Sequence, residues 1–320
     1  MTAKTSDPEE LSKLFVETTD DLAYSRTYYP NRSVRVYLND LSQSVYRSIY
    51  KNRKRRKGAF KEFWLQDIPN AMYFARKALL LSFLVFLLGT VIGIFSTMQD
   101  PEFPNIILSE DYVQMTEENI AQGNPMKVYQ KDDASEMFFR IAYNNIRVCL
   151  LCFALGLLIQ VGSLFFILYN SVMFGSFMWM FVQKGLMKDA VLTVMMHGTI
   201  ELSMIIVAGA AGVALGKGLV RPESFSRLQA MIRSARHGTT IIVAVTAFLV
   251  VAAIIESFIT RFSLTSDPSD QLMLDIFRGA FIILSLVVVL VYFVFLPYLR
   301  NSRGLVPKKM YQDNIIENPT

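Results

Sequence analysis

Apolar positions in the first part of the chain recur at helical intervals among many charges. Further along they merge into long apolar runs separated by polar connections. In SVRVYLNDLSQSVYRSIY (33–50), Val34, Tyr37, Leu38, Leu41, Val45 and Ile49 fall near one stripe, the spacing of an amphipathic helix. The preceding DPEELSKLFVETTDDLAYSR (7–26) opens with acidic residues after Ser6 and Asp7, which suits a helix N-terminus, and Tyr28, Tyr29 and Pro30 end it. Two helices with one apolar stripe each pack as a hairpin or dock on another domain.

From Ala78 onward the pattern changes. Apolar runs occupy about 78–98, 146–168, 171–183, 189–216, 240–260 and 277–297. Most approach the roughly 20 residues that cross a bilayer core. The third, behind Tyr169 and Asn170, is short and is expected to be tilted or partly re-entrant. The stretch AFKEFWLQDIPNAMYFARKA, with Phe60, Phe63 and Trp64 beside charges, predicts an interfacial helix leading into the first run. Between the first and second runs, Gly123, Asn124 and Pro125 mark a turn. The fold class is therefore all-α: a polytopic helical membrane protein of about six transmembrane helices, with a helical N-terminal cytoplasmic region.

Composition agrees, with 52% hydrophobic and only 18% charged residues. No signal-peptide pattern precedes the first run, which is expected to act as its own insertion signal. Charge placement sets the orientation. Residues 1–77 hold fifteen Lys/Arg, the 99–139 loop nine Asp/Glu against two Lys, the 217–239 loop five Lys/Arg against one Glu, and the tail 298–320 four Lys/Arg. The positive-inside rule places both termini and the 217–239 loop in the cytoplasm and the acidic loop outside. An even number of crossings agrees with that layout. The expected organisation is a cytoplasmic helical region over 1–76, a membrane domain over 77–298 and a cytoplasmic tail over 299–320.

The basic run KNRKRRK supplies Lys51, Arg53, Lys54, Arg55, Arg56 and Lys57 next to the membrane. It is read first as a topology signal. It also suits contact with anionic lipid head groups, worth about 1 kcal/mol per basic residue near the surface. Nucleic acid is not an expected partner.

The candidate chemistry is intramembrane. The stretch MHGTIEL places His197, one of two histidines, four residues before Glu201, so both share a helix face. At 1.5 Å per residue they lie about 13 and 19 Å along a helix that starts near Lys188. Glu256, in IIESFIT of the fifth run, falls in the same outer half, and YNNIR adds Asn144, Asn145 and Arg147 at the outer end of the second. Ionisable groups inside a bilayer cost several kcal/mol unless paired or hydrated, and they mark functional sites by default. Three readings stay open: structural glue between spans, a polar groove open to the outer side for a lipid head group, glycan carrier or partner helix, and catalysis or ion handling. His-x-x-x-Glu with a remote Glu offers three ligands, but a zincin motif has His at both ends. No metal, cofactor or catalytic residue is assigned.

Small residues accompany the cluster. Ala208, Gly212 and Gly216 recur every four residues, with Gly209 alongside and Gly198 next to the histidine, a face on which helices approach closely. Cys149 and Cys152 have the spacing of a redox pair. In an apolar span with nothing electropositive nearby they read as small buried hydrophobes. No G-x-x-x-x-G-K-[ST] phosphate loop is present, so any energy from ATP would come from a partner.

HGTIELSMIIVAGAAGVALG resembles the hallmark of the stage II sporulation protein M family of integral membrane proteins, in which a Pro-His-Gly segment leads to a Glu and a small-residue helix. YNNIRV, GSLFFILYNSVMFGSF and IIESFIT correspond as well, and DLAYSRTYYP with VYLNDLSQSVYRSIY resembles the cytoplasmic region of longer members. Met196 stands where the family commonly has Pro, and Asn170-Ser171 where it usually has Asn-Gly. The resemblance implies that His197, Gly198, Glu201 and Glu256 are the family's characteristic residues, without implying catalysis. It also implies a scaffold in a bacterial plasma membrane that works with other membrane or envelope proteins. The function expected is thus a non-enzymatic scaffold that assembles or localises cell-envelope or membrane-remodelling proteins. The alternative is a transporter or intramembrane enzyme built on the His/Glu cluster.

Overall fold

The computed structural model describes residues 8–29, 32–51, 58–122, 134–220, 226–260 and 271–306. The turn expected at Gly123, Asn124 and Pro125 and the basic residues Arg53, Lys54, Arg55, Arg56 and Lys57 lie outside them; Lys51 is the last residue of a helix. The described residues contain no strand. The chain divides into two compact units, 1–62 and 63–320.

The first unit is built on two helices, Pro8–Tyr28 and Arg32–Lys51. The first stops where Tyr28, Tyr29 and Pro30 intervene, since the residue before a proline is pushed out of helical geometry. The helices run antiparallel: Phe15, early in one, meets Tyr46, late in the other, with ring centroids 5.9 Å apart. Leu11 and Val45 are each only 3% exposed and form the seam with Thr18, Ser25 and Ser42. Of the predicted stripe, Val34 and Tyr37 face outward, at 42% and 62% exposure.

The second unit carries the membrane helices. Among the described residues, six helices are long and apolar enough to cross a membrane: Ala59–Gln99, Ser135–Leu157, Val161–Gln183, Met187–Val220, Arg227–Phe258 and Gln271–Ser302. The fourth is buried over 67% of its most apolar stretch and the fifth over 56%, against 17% for the first, second and sixth. The fourth and fifth spans are therefore the interior, and the residues with the small-residue pattern lie on the more enclosed of the two. The main core joins Ile68 and Met72 of the first span, Met196, Met204 and Ala208 of the fourth, Ile241 and Leu249 of the fifth and Phe293 of the sixth.

Prolines leave a visible mark on the outer spans. A π-helical turn, Phe63–Asp67, precedes Pro69 in the helix Ile68–Gln99, and another, Val291–Phe295, precedes Pro297. Proline cannot donate into the helical ladder, and a widened turn absorbs the missing bond. The two places are tied together, because the Tyr292 hydroxyl donates to the Trp64 carbonyl at 2.8 Å.

The boundary between the second and third spans differs from the expectation. The second span ends at Leu157 and the third begins at Val161, so Tyr169 and Asn170 lie within one continuous helix rather than between two runs. Asn170 is accommodated there by donating its side-chain amide to the Phe166 carbonyl at 2.8 Å, one turn back. The chain turns instead at Ile159 (φ 54°) and Gln160 (φ 69°), both in the left-handed region. That region is costly for a β-branched isoleucine, and no glycine, asparagine or proline signals the turn. With the turn moved, the third span is a full 23 residues and is not re-entrant by length.

Close approach is concentrated where glycines face backbone. A Cβ at Gly93 of the first span would stand 2.1 Å from the Val172 carbonyl oxygen of the third. Thr97 of the first span donates its hydroxyl to Ser176 of the third at 2.7 Å beside that contact, with both side chains fully buried.

Candidate functional site

A cavity of about 490 Å³ opens between the second, third, fourth and fifth spans. His197, Gly198 and Glu201 reach it from one face of the fourth span, as their spacing required. Glu256 enters from the fifth span, within a π-helical turn, Ile255–Thr260. Such turns shift side-chain direction by part of a turn and recur at functional sites. Asn144 and Asn145 line the cavity from the second span.

The three ionisable groups converge. One donor atom from each of His197, Glu201 and Glu256 lies within 4.8 Å of the other two. His197 Nε2 stands 3.7 Å from Glu256 Oε1, with both side chains at or below 10% exposure. Asn145 donates its side-chain N–H to Glu201 Oε1, which orients that carboxylate across the boundary between the second and fourth spans. A Cβ at Gly198, beside His197, would stand 3.1 Å from the flexible end of Met195 and 3.8 Å from Val194 Cγ1.

Arg147 is not among the residues lining the cavity. It is exposed, about one turn beyond Asn144. The second span begins at Ser135 rather than near 146, so the asparagines sit inside the span and the guanidinium at the cavity is Arg140, one turn before Asn144. Four-residue spacing from Asn144 was the available signal. A second group also went unassigned because the sixth span begins earlier than its apolar run. Asp275 and Arg278, 9% and 6% exposed, lie inside it. Lys188 Nζ approaches Asp275 Oδ2 at 2.6 Å, and Arg278 Nη1 lies 3.7 Å from Asp275 Oδ1. Opposite charges three residues apart at the head of an apolar run were the signal there.

The small residues form a contact surface apart from the cavity. A Cβ at Gly209 would meet Ile167 Cδ1 at 2.1 Å, one at Gly212 would meet Ser163 Oγ at 2.2 Å, and one at Gly216 would meet the Gly156 carbonyl oxygen at 2.4 Å. Ala208 is fully buried in the main core. Cys149 and Cys152 are free and buried in the same region. The second histidine, His237, stacks on Phe74 with centroids 6.2 Å apart, away from the cavity.

The helix Glu110–Ala121, between the first two spans, packs at this end of the unit. Ile120 joins the small core of Phe181, Ala190 and Val194, and Tyr112 lies 6.2 Å from Phe177. Burial raises the Tyr112 hydroxyl pKa above its ordinary value, and the Glu256 carboxylate raises it further.

Comparison with known proteins agrees with this anatomy. The profile of the family described as stage II sporulation protein M matches residues 82–261. A second profile, a domain of unknown function (DUF8413), matches residues 1–51, the region of the N-terminal helix pair. No curated protein and no solved structure gives a match. The first match spans more than half of the 320 residues and takes in all three converging side chains, so the chain belongs to the stage II sporulation protein M family.

Proposed function

We propose that this protein is a non-enzymatic membrane scaffold that assembles or localises cell-envelope or membrane-remodelling proteins, in a bacterial plasma membrane with both termini in the cytoplasm. The observation that carries the reading is the exposed aromatic face of the N-terminal helix pair. Tyr24, Tyr28, Tyr29 and Tyr37 are each more than half exposed, and the Tyr24 and Tyr28 ring centroids lie 4.5 Å apart with the rings tilted at 34°. Tyrosine is enriched in protein interfaces and depleted on surfaces that meet only water. The charge asymmetry of the loops supports a cytoplasmic location for this face. The 51–57 run would hold it near anionic lipid. The test is affinity purification from native membranes at matched expression, comparing wild type with the Tyr28→Ser/Tyr37→Ser double variant. Envelope or membrane-remodelling proteins should co-purify with wild type and be depleted from the variant. An unchanged set, or none of that class with wild type, refutes the reading.

The converging His197, Glu201 and Glu256 favour a second reading, a transporter or intramembrane enzyme. It requires flux or turnover in liposomes that Glu201→Gln abolishes.

A further inference from the structure

We propose that His197, Glu201 and Glu256 bind one divalent transition-metal cation of the zinc class inside the membrane unit, with an open coordination position facing the cavity. The inference is independent of the scaffold reading.

Geometry comes first. Zinc bonds to imidazole nitrogen and carboxylate oxygen at about 2.0–2.2 Å, which puts neighbouring ligand atoms of a tetrahedron about 3.4 Å apart. His197 Nε2 and Glu256 Oε1 are already at 3.7 Å, and the whole set lies within 4.8 Å. Closing onto an ion shortens these separations by about 3.7 − 3.4 = 0.3 Å to at most about 4.8 − 3.4 = 1.4 Å, within the reach of side-chain rotation.

Charge points the same way. Two carboxylates within a few ångströms in a low-dielectric interior repel strongly. Glu201 is held by a neutral amide. Among the described residues lining the cavity, the cationic one is Arg140, an exposed residue whose single charge acts on Glu256 and leaves the second carboxylate to be balanced. A dication balances both carboxylates at once, and a neutral imidazole completes the donor set without adding charge. The imidazole also selects the class of ion, since calcium and magnesium take oxygen ligands while zinc and its neighbours accept nitrogen.

The surroundings are those of a built site. His197 and Glu201 share one rigid helical turn, and Glu256 is presented by the π-turn of the neighbouring span. Asn145 fixes the Glu201 carboxylate from outside the ligand set, the role that outer partners play at metal centres. Three protein ligands leave a fourth position for water, as in sites where the metal handles a ligand. The cavity of about 490 Å³ beside Gly198 has room for several waters at about 30 Å³ each.

The test uses the full-length protein in detergent, stripped with chelator, reloaded with Zn²⁺ and desalted. Metal is counted by mass spectrometry, and affinity is read by competition with a chromophoric chelator. Wild type should retain one equivalent per chain. His197→Gln and Glu256→Gln should each lose it, Asn145→Ala should bind about 10–100-fold more weakly, and Glu117→Gln, in the helix outside the spans, should match wild type. X-ray absorption on zinc-loaded wild type keeps the proposal open to refutation if the ligand variants misfold. A shell of nitrogen and oxygen at about 2.0–2.1 Å with imidazole scattering is expected. A sulfur shell at about 2.3 Å would assign the metal to Cys149 and Cys152 and overturn the proposal. Sub-stoichiometric metal in wild type, or equal retention in the folded ligand variants, overturns it as well.

Discussion

Gly156→Ala should loosen the unit at the junction between the second and fourth spans, and the structure sets the size of the effect. A Cβ at position 156 would lie 2.1 Å from the Gly212 carbonyl oxygen, 2.5 Å from its carbon and 2.7 Å from its Cα. All three are backbone atoms, so no rotamer change relieves the clash. Restoring even a 3.0 Å separation, below which real Cβ contacts essentially never fall, needs 3.0 − 2.1 = 0.9 Å of movement between the helices. A gap of 0.5–1 Å forfeits a quarter to a half of each dispersion contact it opens. Here it also strains the bond by which Ser163 Oγ donates to the Cys152 carbonyl at 2.6 Å. The cost falls in the overpacking range, about 1–3 kcal/mol, and at roughly 2–4 °C per kcal/mol a 2 kcal/mol loss lowers Tm by about 4–8 °C. Gly279→Ala is the matched control, because nothing lies within 4 Å of its Cβ position. Alanine is the better helix former by up to about 1 kcal/mol, so that variant should hold or raise Tm. The chain supplies its own reporter: its only two cysteines are both buried, Cys149 at 2% and Cys152 at 0% exposure. A thiol-reactive dye in a thermal ramp therefore reads the opening of this junction directly. Gly216→Ala strikes the Gly156 carbonyl oxygen across the same junction at 2.4 Å, so the double variant should cost less than the sum of the singles. A Gly156→Ala protein that melts with wild type, or a Gly279→Ala protein that falls equally far, would refute the reasoning.

Asp275→Ala should cost about 3–5 kcal/mol, because it removes one member of a pair whose other member, Arg278, stays buried; Lys188→Ala, at the 71% exposed end of the same group, should change the melting curve little. Ser176→Ala removes the partner that the Thr97 hydroxyl reaches on the third span, leaving it the Gly93 carbonyl one turn back, and should cost about 0.5–1.5 kcal/mol, measured in the same thiol assay, while Gly279→Ala again marks the baseline. The Tyr112 pKa is raised above 10.0 in the folded protein, so its contribution to stability is full below pH 10.0 and is lost as pH rises through the higher folded value. The difference in phenolate absorbance between wild type and Tyr112→Phe should show this hydroxyl ionising late, and earlier in a Glu256→Gln background; titration at the ordinary value would show that the hydroxyl is not buried beside the cavity.

Residue spacing carried the candidate site only as far as local geometry reaches. His197 and Glu201 are four apart on a helix, so their shared face followed from the sequence, and Asn144 and Asn145, about 100° apart on their own helix, both reach the cavity. Their third partner, Glu256, is 55 positions from Glu201. Matching depths in the membrane brought it near, but the π-turn that aims it has no sequence signature, because it depends on how the ladder is broken rather than on residue type. The errors share one cause. Hydropathy marks where lipid-like residues begin, whereas a helix begins where its backbone bonds close. The second and sixth spans start at Ser135 and Gln271, ahead of their apolar runs. That offset moved Arg147 away from the cavity, brought Arg140 to it and drew Asp275 and Arg278 inside. The turn at Ile159 and Gln160 is the complementary case: two residues unsuited to positive φ hold it. On either side of it, Gly156 and Ser163 pack against Gly212 of the fourth span. Tertiary contact, rather than turn chemistry, sets that corner. The same small-residue face therefore positions the second span, and with it Asn145, against Glu201. A disturbance at Gly156 should reach the cavity as a weaker hold on that carboxylate, even though no residue of the junction lines it.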